Sequence, residues 1–138
     1  MDSKRIELCV PAERSMLLVI RMTTSGVMSR AGLTLDEVDD VKMAIDEACN
    51  LMMLQKTGCQ QLAVSYEYND GCVCVKVEGK SMIEAAAVEQ STDSSMQDVI
   101  RCILESMMDE VEMTAREDGS TEKVCMKKKL PEDRRPSV

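Results

Sequence analysis

The sequence predicts an α+β two-layer sandwich, in which a mixed, mostly antiparallel five-stranded sheet carries three main helices on one face. Three observations predict it. Five segments alternate apolar and polar residues at period two, and three longer ones place apolar residues at three- and four-residue steps. The two kinds alternate in the order β-α-α-β-β-α-β-β, and two of the strand pairs are joined by short glycine-containing turns. No segment repeats, and 138 residues suit one domain over residues 1–130 followed by a flexible charged tail at 131–138.

The first strand is Lys4 to Val10, where Ile6, Leu8 and Val10 alternate with Glu7 and Cys9 before Pro11 ends it. From Ala12 to Ala31 the spacing turns helical, with Leu17, Ile20, Thr24, Val27 and Ala31 on one stripe, Gly26 as a local weakness and Gly32 as a stop. Thr34-Leu35-Asp36-Glu37 is a capping box, which requires a second helix to begin there. Its apolar stripe is Val38, Val41, Ile45, Ala48 and Met52, its polar face is Asp36, Asp39, Asp40, Asp46, Glu47 and Asn50, and its end falls near Lys56 to Gly58.

Leu62, Val64, Tyr66 and Tyr68 then alternate up to Asn69-Asp70-Gly71, and Val73, Val75 and Val77 alternate after it, which reads as a hairpin. Residues 79–95 form the long loop, with a short helical turn expected at Ile83 to Val88. Met96, Val99, Ile100, Ile103, Leu104 and Met107 make an amphipathic helix capped by Asp93 or a neighbouring serine or threonine. Val111, Met113 and Ala115 give a fourth strand, Asp118-Gly119 a turn, and Val124, Met126, Lys128 and Leu130 a fifth.

Composition excludes several function classes. The chain is 44% hydrophobic and 30% charged, which suits a folded body. Its 17 Lys and Arg against 25 Asp and Glu give a net charge of −8, and it has no Phe, no Trp and two Tyr. Such a surface repels phosphate backbones and offers bases almost nothing to stack on, so no direct nucleic-acid binding is expected. No apolar run approaches the roughly 20 residues of a membrane span, and Met1 to Val10 lacks the apolar core of a signal peptide; a cytoplasmic protein without membrane contact is predicted.

Seven cysteines, Cys9, Cys49, Cys59, Cys72, Cys74, Cys102 and Cys125, follow no regular spacing and read as free thiols. Strand alternation points Cys9, Cys72, Cys74 and Cys125 outward. Four thiols can in principle hold Zn²⁺, yet no C-x-x-C knuckle and no histidine accompany them, which favours ordinary strand residues. Thirteen methionines, several of them in the helix stripes, serve as core filler in a chain without Phe, and their flexible side chains also suit adaptable interfaces.

Chemistry concentrates on the second helix. Asp46, Glu47 and Asn50 offer hard oxygen ligands one turn apart, a set that can orient a water and hold Mg²⁺; the same string also reads as a solvated acidic face. The stretch from Asp36 to Cys49, DEVDDVKMAIDEAC, resembles the helix carrying the first nucleotide motif of the anti-sigma-factor serine-protein kinases, members of the GHKL (histidine kinase and Hsp90-like) ATPase superfamily. Met107-Met108-Asp109-Glu110-Val111 resembles the family's entry from the last long helix into its following strand, and the element order matches over Lys4 to Leu130.

The resemblance implies an ATP and Mg²⁺ site, with Glu47 as the base that polarises the attacking hydroxyl. In the family's E-x-x-x-N motif the metal ligand stands four residues on, where this chain has Leu51; Asn50 comes one residue early, about 100° around the helix. Pairing Asp46 with Asn50 restores the spacing with a shorter acid. The family's D-x-G motif falls on Val75-Lys76-Val77-Glu78-Gly79-Lys80-Ser81, which leaves Glu78 and Gly79 as cofactor-binding candidates but supplies no aspartate. Its glycine-rich motif falls on Ser95-Met96-Gln97-Asp98-Val99-Ile100, with no glycine to let backbone amides approach phosphate. With all three motifs altered, the expectation is a degenerate site with no bound cofactor, ATP and Mg²⁺ belonging only to the alternative of an active kinase.

What the resemblance then implies is a regulatory binding module that grips a sigma factor and exchanges it for an anti-anti-sigma (STAS-type) protein, working as a homodimer. Arg21 lies on the first helix where the family uses an arginine for partner contact, and Arg14 and Arg30 share that helix. A redox-responsive scaffold built on the outward cysteines is the third reading.

Overall fold

Five strands form one sheet in the order β1-β2-β3-β5-β4. The structure, a computed structural model, describes residues 4–54, 59–69, 71–81, 94–117 and 119–131. The elements are β1 (Arg5–Pro11), a 3-10 turn (Arg14–Met16), α1 (Leu17–Arg30), α2 (Leu35–Leu54), β2 (Gln61–Asn69), β3 (Cys72–Lys80), α3 (Ser94–Met107), β4 (Glu110–Ala115) and β5 (Thr121–Lys129). All four strand pairings are antiparallel, so the described sheet contains none of the parallel pairing a mixed sheet would have. The helices α1 and α2 form a hairpin between β1 and β2 and return the chain with its direction reversed.

Register makes one face apolar. Tyr66 stands opposite Val75, Val75 opposite Met126 and Met126 opposite Val111, all pointing at the helix layer. Val64, Val77 and Val124 form the next row and are fully buried. Against them lie Ile20, Thr24 and Met28 of α1, Val41, Ile45, Ala48 and Met52 of α2, and Ile100 and Leu104 of α3. The α1 stripe follows the 3.6-residue period through Met28, leaving Val27 and Ala31 only partly buried.

Local chemistry sets the ends. The Glu37 N–H donates to Thr34 Oγ1 at 3.2 Å and the Thr34 N–H to Glu37 Oε1 at 2.9 Å, the reciprocal pair that starts α2. Gly32, at φ 91°, ends the turn after α1 in a conformation that a side chain disfavours. Gly71, at φ 73°, does the same in the β2–β3 turn, where its carbonyl accepts the Leu130 N–H at 2.9 Å. The first helix starts later than Ala12, because the Ala12 N–H is held at the sheet end by the Gln60 carbonyl at 2.9 Å. The expected helix end at Lys56 to Gly58, the turn at Ile83 to Val88, the Asp93 cap and the tail beyond Pro131 lie outside the described residues.

Lys128 departs from its alternation partners. It holds an inward register position opposite Val73, and its side chain is only 14% exposed. Its Nζ donates to the Met107 carbonyl at 2.7 Å and lies 3.5 Å from the Asp40 carboxylate. A cation thus closes the C-terminus of α3, where the helix leaves carbonyls unpaired, and ties α3 to α2.

Candidate functional site

The acids of α2 serve two different sides of the helix. Each residue step turns the helix by about 100°, so neighbours Asp46 and Glu47 diverge, while Asp40 and Glu47 lie two turns apart on one side. Asp46 meets α1: the Arg21 Nε–H is shared between its two carboxylate oxygens, at 3.0 and 2.8 Å. Asp40 reaches in the other direction, to Lys128 of β5. Glu47 and Asn50 are half-buried, and neither side chain has a hydrogen bond or ion pair among the described residues. Leu51, four residues after Glu47, is 1% exposed and belongs to the core.

This arrangement separates the two registers. Asp46 is engaged by Arg21, so a pairing of Asp46 with Asn50 at a metal competes with that contact. Glu47 stands clear of it but is followed at the required spacing by an apolar side chain. Arg21 itself is exposed yet anchored, whereas Arg14, two turns before it, and Arg30 are exposed without a salt bridge among the described residues.

At the far end of β3 the candidates Glu78 and Gly79 part company. Val73, Val75, Val77 and Gly79 face the helices, so Glu78 lies on the open face of the sheet, opposite Ala63 and Lys123 and away from Glu47. Gly79 packs against α2: a methyl group there would sit 3.3 Å from Cys59 Cβ, 3.3 Å from Met52 Sδ and 3.4 Å from Met52 Cβ. Val77, two residues before Gly79, is fully buried, so the helix-facing positions of this strand carry no acid. The Arg116 guanidinium donates to the Gly79 carbonyl at 2.8 Å.

Where the sequence places the glycine-rich motif, Gln97 Nε2 donates to the Gly119 carbonyl at 3.0 Å, fastening the start of α3 to the β4–β5 turn. Asp98, on the next position, is exposed. Sequence reasoning missed several polar groups of this layer: Lys128, Arg116, and the hydroxyls of Ser120 and Thr121, which are 1% and 2% exposed. A lysine at an inward period-two position was the available signal for Lys128. Arg116 and Ser120 sit in a turn, where periodicity carries no information.

All seven cysteines are free. Burial, reinforced by the Asp46 and Cys59 charges, pushes the Cys49 thiol up from 9.0 to about 12. Burial also raises Cys59 against the opposing influence of Arg116, and it raises Cys72 and Cys74 on the open face. Thiols held protonated are poor nucleophiles and poor metal ligands. Among the described residues no group of three or more Cys, Asp or Glu side chains is placed to hold a metal ion. No described helix is long and apolar enough to cross a membrane.

Comparison with known proteins adds a local likeness. The chain is 40% identical over 65 residues to the serine-protein kinase RsbW of Bacillus velezensis, a match covering 47% of this chain and 34% of that protein. It is 52% identical over 44 residues to the serine-protein kinase RsbW of Bacillus subtilis, covering 32% of this chain and 28% of the relative. Against the serine-protein kinase RsbW of Staphylococcus aureus the figures are 50% over 50 residues, 35% and 31%. The chain therefore spans about a third of the length of these curated relatives. No family model matches.

Proposed function

We propose that this chain is an anti-sigma-factor-like regulatory protein, built on a GHKL-type scaffold, that acts by binding a sigma factor or a STAS-type anti-anti-sigma protein and no longer uses ATP. The observation that carries this reading is Leu51. In the family that the chain resembles, the Mg²⁺ ligand stands one helical turn after the base, and here that position is a core leucine at 1% exposure, which offers no oxygen. The missing aspartate in Val75 to Ser81 and the missing glycine in Ser95 to Ile100 support the same reading. The likeness to serine-protein kinases RsbW supports the kind of partner.

The chemistry that remains is recognition. Glu47 offers a carboxylate, but four residues on, among the described residues, stands the apolar Leu51 in place of an oxygen donor for the metal. Arg14 and Arg21 lie two turns apart on one side, next to the exposed Leu18 and Met22. Homodimerisation belongs to this reading as well.

The second reading is an active kinase in which Glu47 is the base and Asn50 binds Mg²⁺ from a displaced position; the likeness to serine-protein kinases favours it. Isothermal titration with ATP, with and without Mg²⁺, on the wild type and on Glu47→Ala separates the two. The binding-module reading expects no heat of binding in either, together with tight binding of a sigma or STAS-type protein. Micromolar, Mg²⁺-dependent binding, or transfer of phosphate to a partner serine that Glu47→Ala abolishes, would put the kinase first.

A further inference from the structure

We propose that Asp46 is a positioning residue for partner capture: it holds Arg21 by its inner edge and presents the guanidinium as a preformed receptor for a partner's carboxylate. This rests on the binding-module reading and names the chemistry of its contact surface. Arg21 spends one of five N–H donors on Asp46, and the four on its terminal nitrogens have no partner among the described residues. The side chain stays 44% exposed while Asp46 is 21% exposed, so the acid is the inner member of the pair. One turn apart on the same helix, Leu18 and Met22 are 62% and 68% exposed and stand together on one side of the arginine.

An arginine beside exposed apolar side chains is the anatomy of an interface anchor. Free arginine side chains lose much rotamer freedom on docking; one fixed beforehand does not. Charge selects the occupant. From Leu17 to Arg30, α1 has no acidic residue, and Arg14, just before it, lies two turns from Arg21 on the same side, while Arg30 lies on the opposite side, in a chain of net charge −8. The surface thus fits a protein segment with a carboxylate beside apolar side chains, and Asp46 serves this face rather than a metal.

The test compares wild type, Asp46→Asn, Asp46→Glu, Arg21→Ala and the Arg21→Ala/Asp46→Asn double variant, with the sigma or STAS-type protein that the wild type binds as the probe. Affinity is measured by titration, and each variant's thermal midpoint is recorded. Asp46→Asn is expected to weaken binding by roughly three- to tenfold, the worth of one immobilised long side chain, at an unchanged thermal midpoint. Asp46→Glu recovers part of the loss, and the double variant binds no worse than Arg21→Ala alone. In the free wild type, the Arg21 Nε–H resonance is protected from exchange, and Asp46→Asn removes that protection. Unchanged affinity in Asp46→Asn, tighter binding because Asp46 competes with the partner, or additive losses in the double variant each overturn the positioning role while leaving the functional reading in place. A wild type that binds neither kind of partner overturns the functional reading and this contact surface with it.

Discussion

Replacing Thr24 by valine is expected to cost more stability than replacing its partner Tyr66 by phenylalanine. Thr24 Oγ1 lies 2.7 Å from the Ile20 carbonyl and 2.7 Å from the Tyr66 hydroxyl, with the two residues 0% and 1% exposed. A carbonyl can only accept, so the threonine proton goes to Ile20 and the tyrosine must donate to Thr24. Thr24→Val keeps the shape but leaves a buried phenol without an acceptor, which costs about 1–3 kcal/mol. Tyr66→Phe removes the donor and leaves a threonine still bonded to Ile20, a loss of about 0.5–1.5 kcal/mol. In the double variant no polar group of the pair is stranded, so its cost falls below the sum of the singles. Urea unfolding at constant slope measures all three. A Tyr66→Phe loss exceeding that of Thr24→Val, or strict additivity, would refute the donor assignment. The bond joins α1 to β2 three residues after Arg21.

Gly26 is in the middle of α1 with open space where a Cβ would stand, so Gly26→Ala should raise stability by about 0.5–1 kcal/mol, read as a higher urea midpoint. Alkaline pH should destabilise the fold through Cys49 and Tyr66. Both titrate higher when folded, at about 12, than their ordinary 9.0 and 10.0, so their contribution is whole below about pH 9 and is lost as pH rises toward 12. Denaturant midpoints measured from pH 8 to 11 should fall, and Cys49→Ala should flatten the first part of that decline; a midpoint independent of pH over this range contradicts it.

Much of the fold was legible before any coordinates. Period-two alternation located the strands, and Thr34 with Glu37 fixed the start of α2, because these signals depend only on neighbours in the chain. Gly71 and Gly119 marked turns for the same reason: a positive φ is a local demand. The α1 boundary was less legible, since the Gln60 carbonyl that holds Ala12 lies far along the chain.

The candidate site was legible as a set of residues and not as an arrangement. One helical turn of spacing told which residues to consider, Asp46, Glu47, Asn50 and Leu51, and that a metal ligand was out of place. Only the tertiary structure decided that Asp46 turns to Arg21, that Asp40 turns to Lys128 on the other side, and that Leu51 is core. Likewise the strand period placed Glu78 and Gly79 on opposite faces, but only packing against Met52 and Cys59 showed how close the backbone at Gly79 comes to α2. Periodicity fixes a residue's direction relative to its own helix or strand; what it meets depends on how the elements dock, and that is set by contacts distant in sequence.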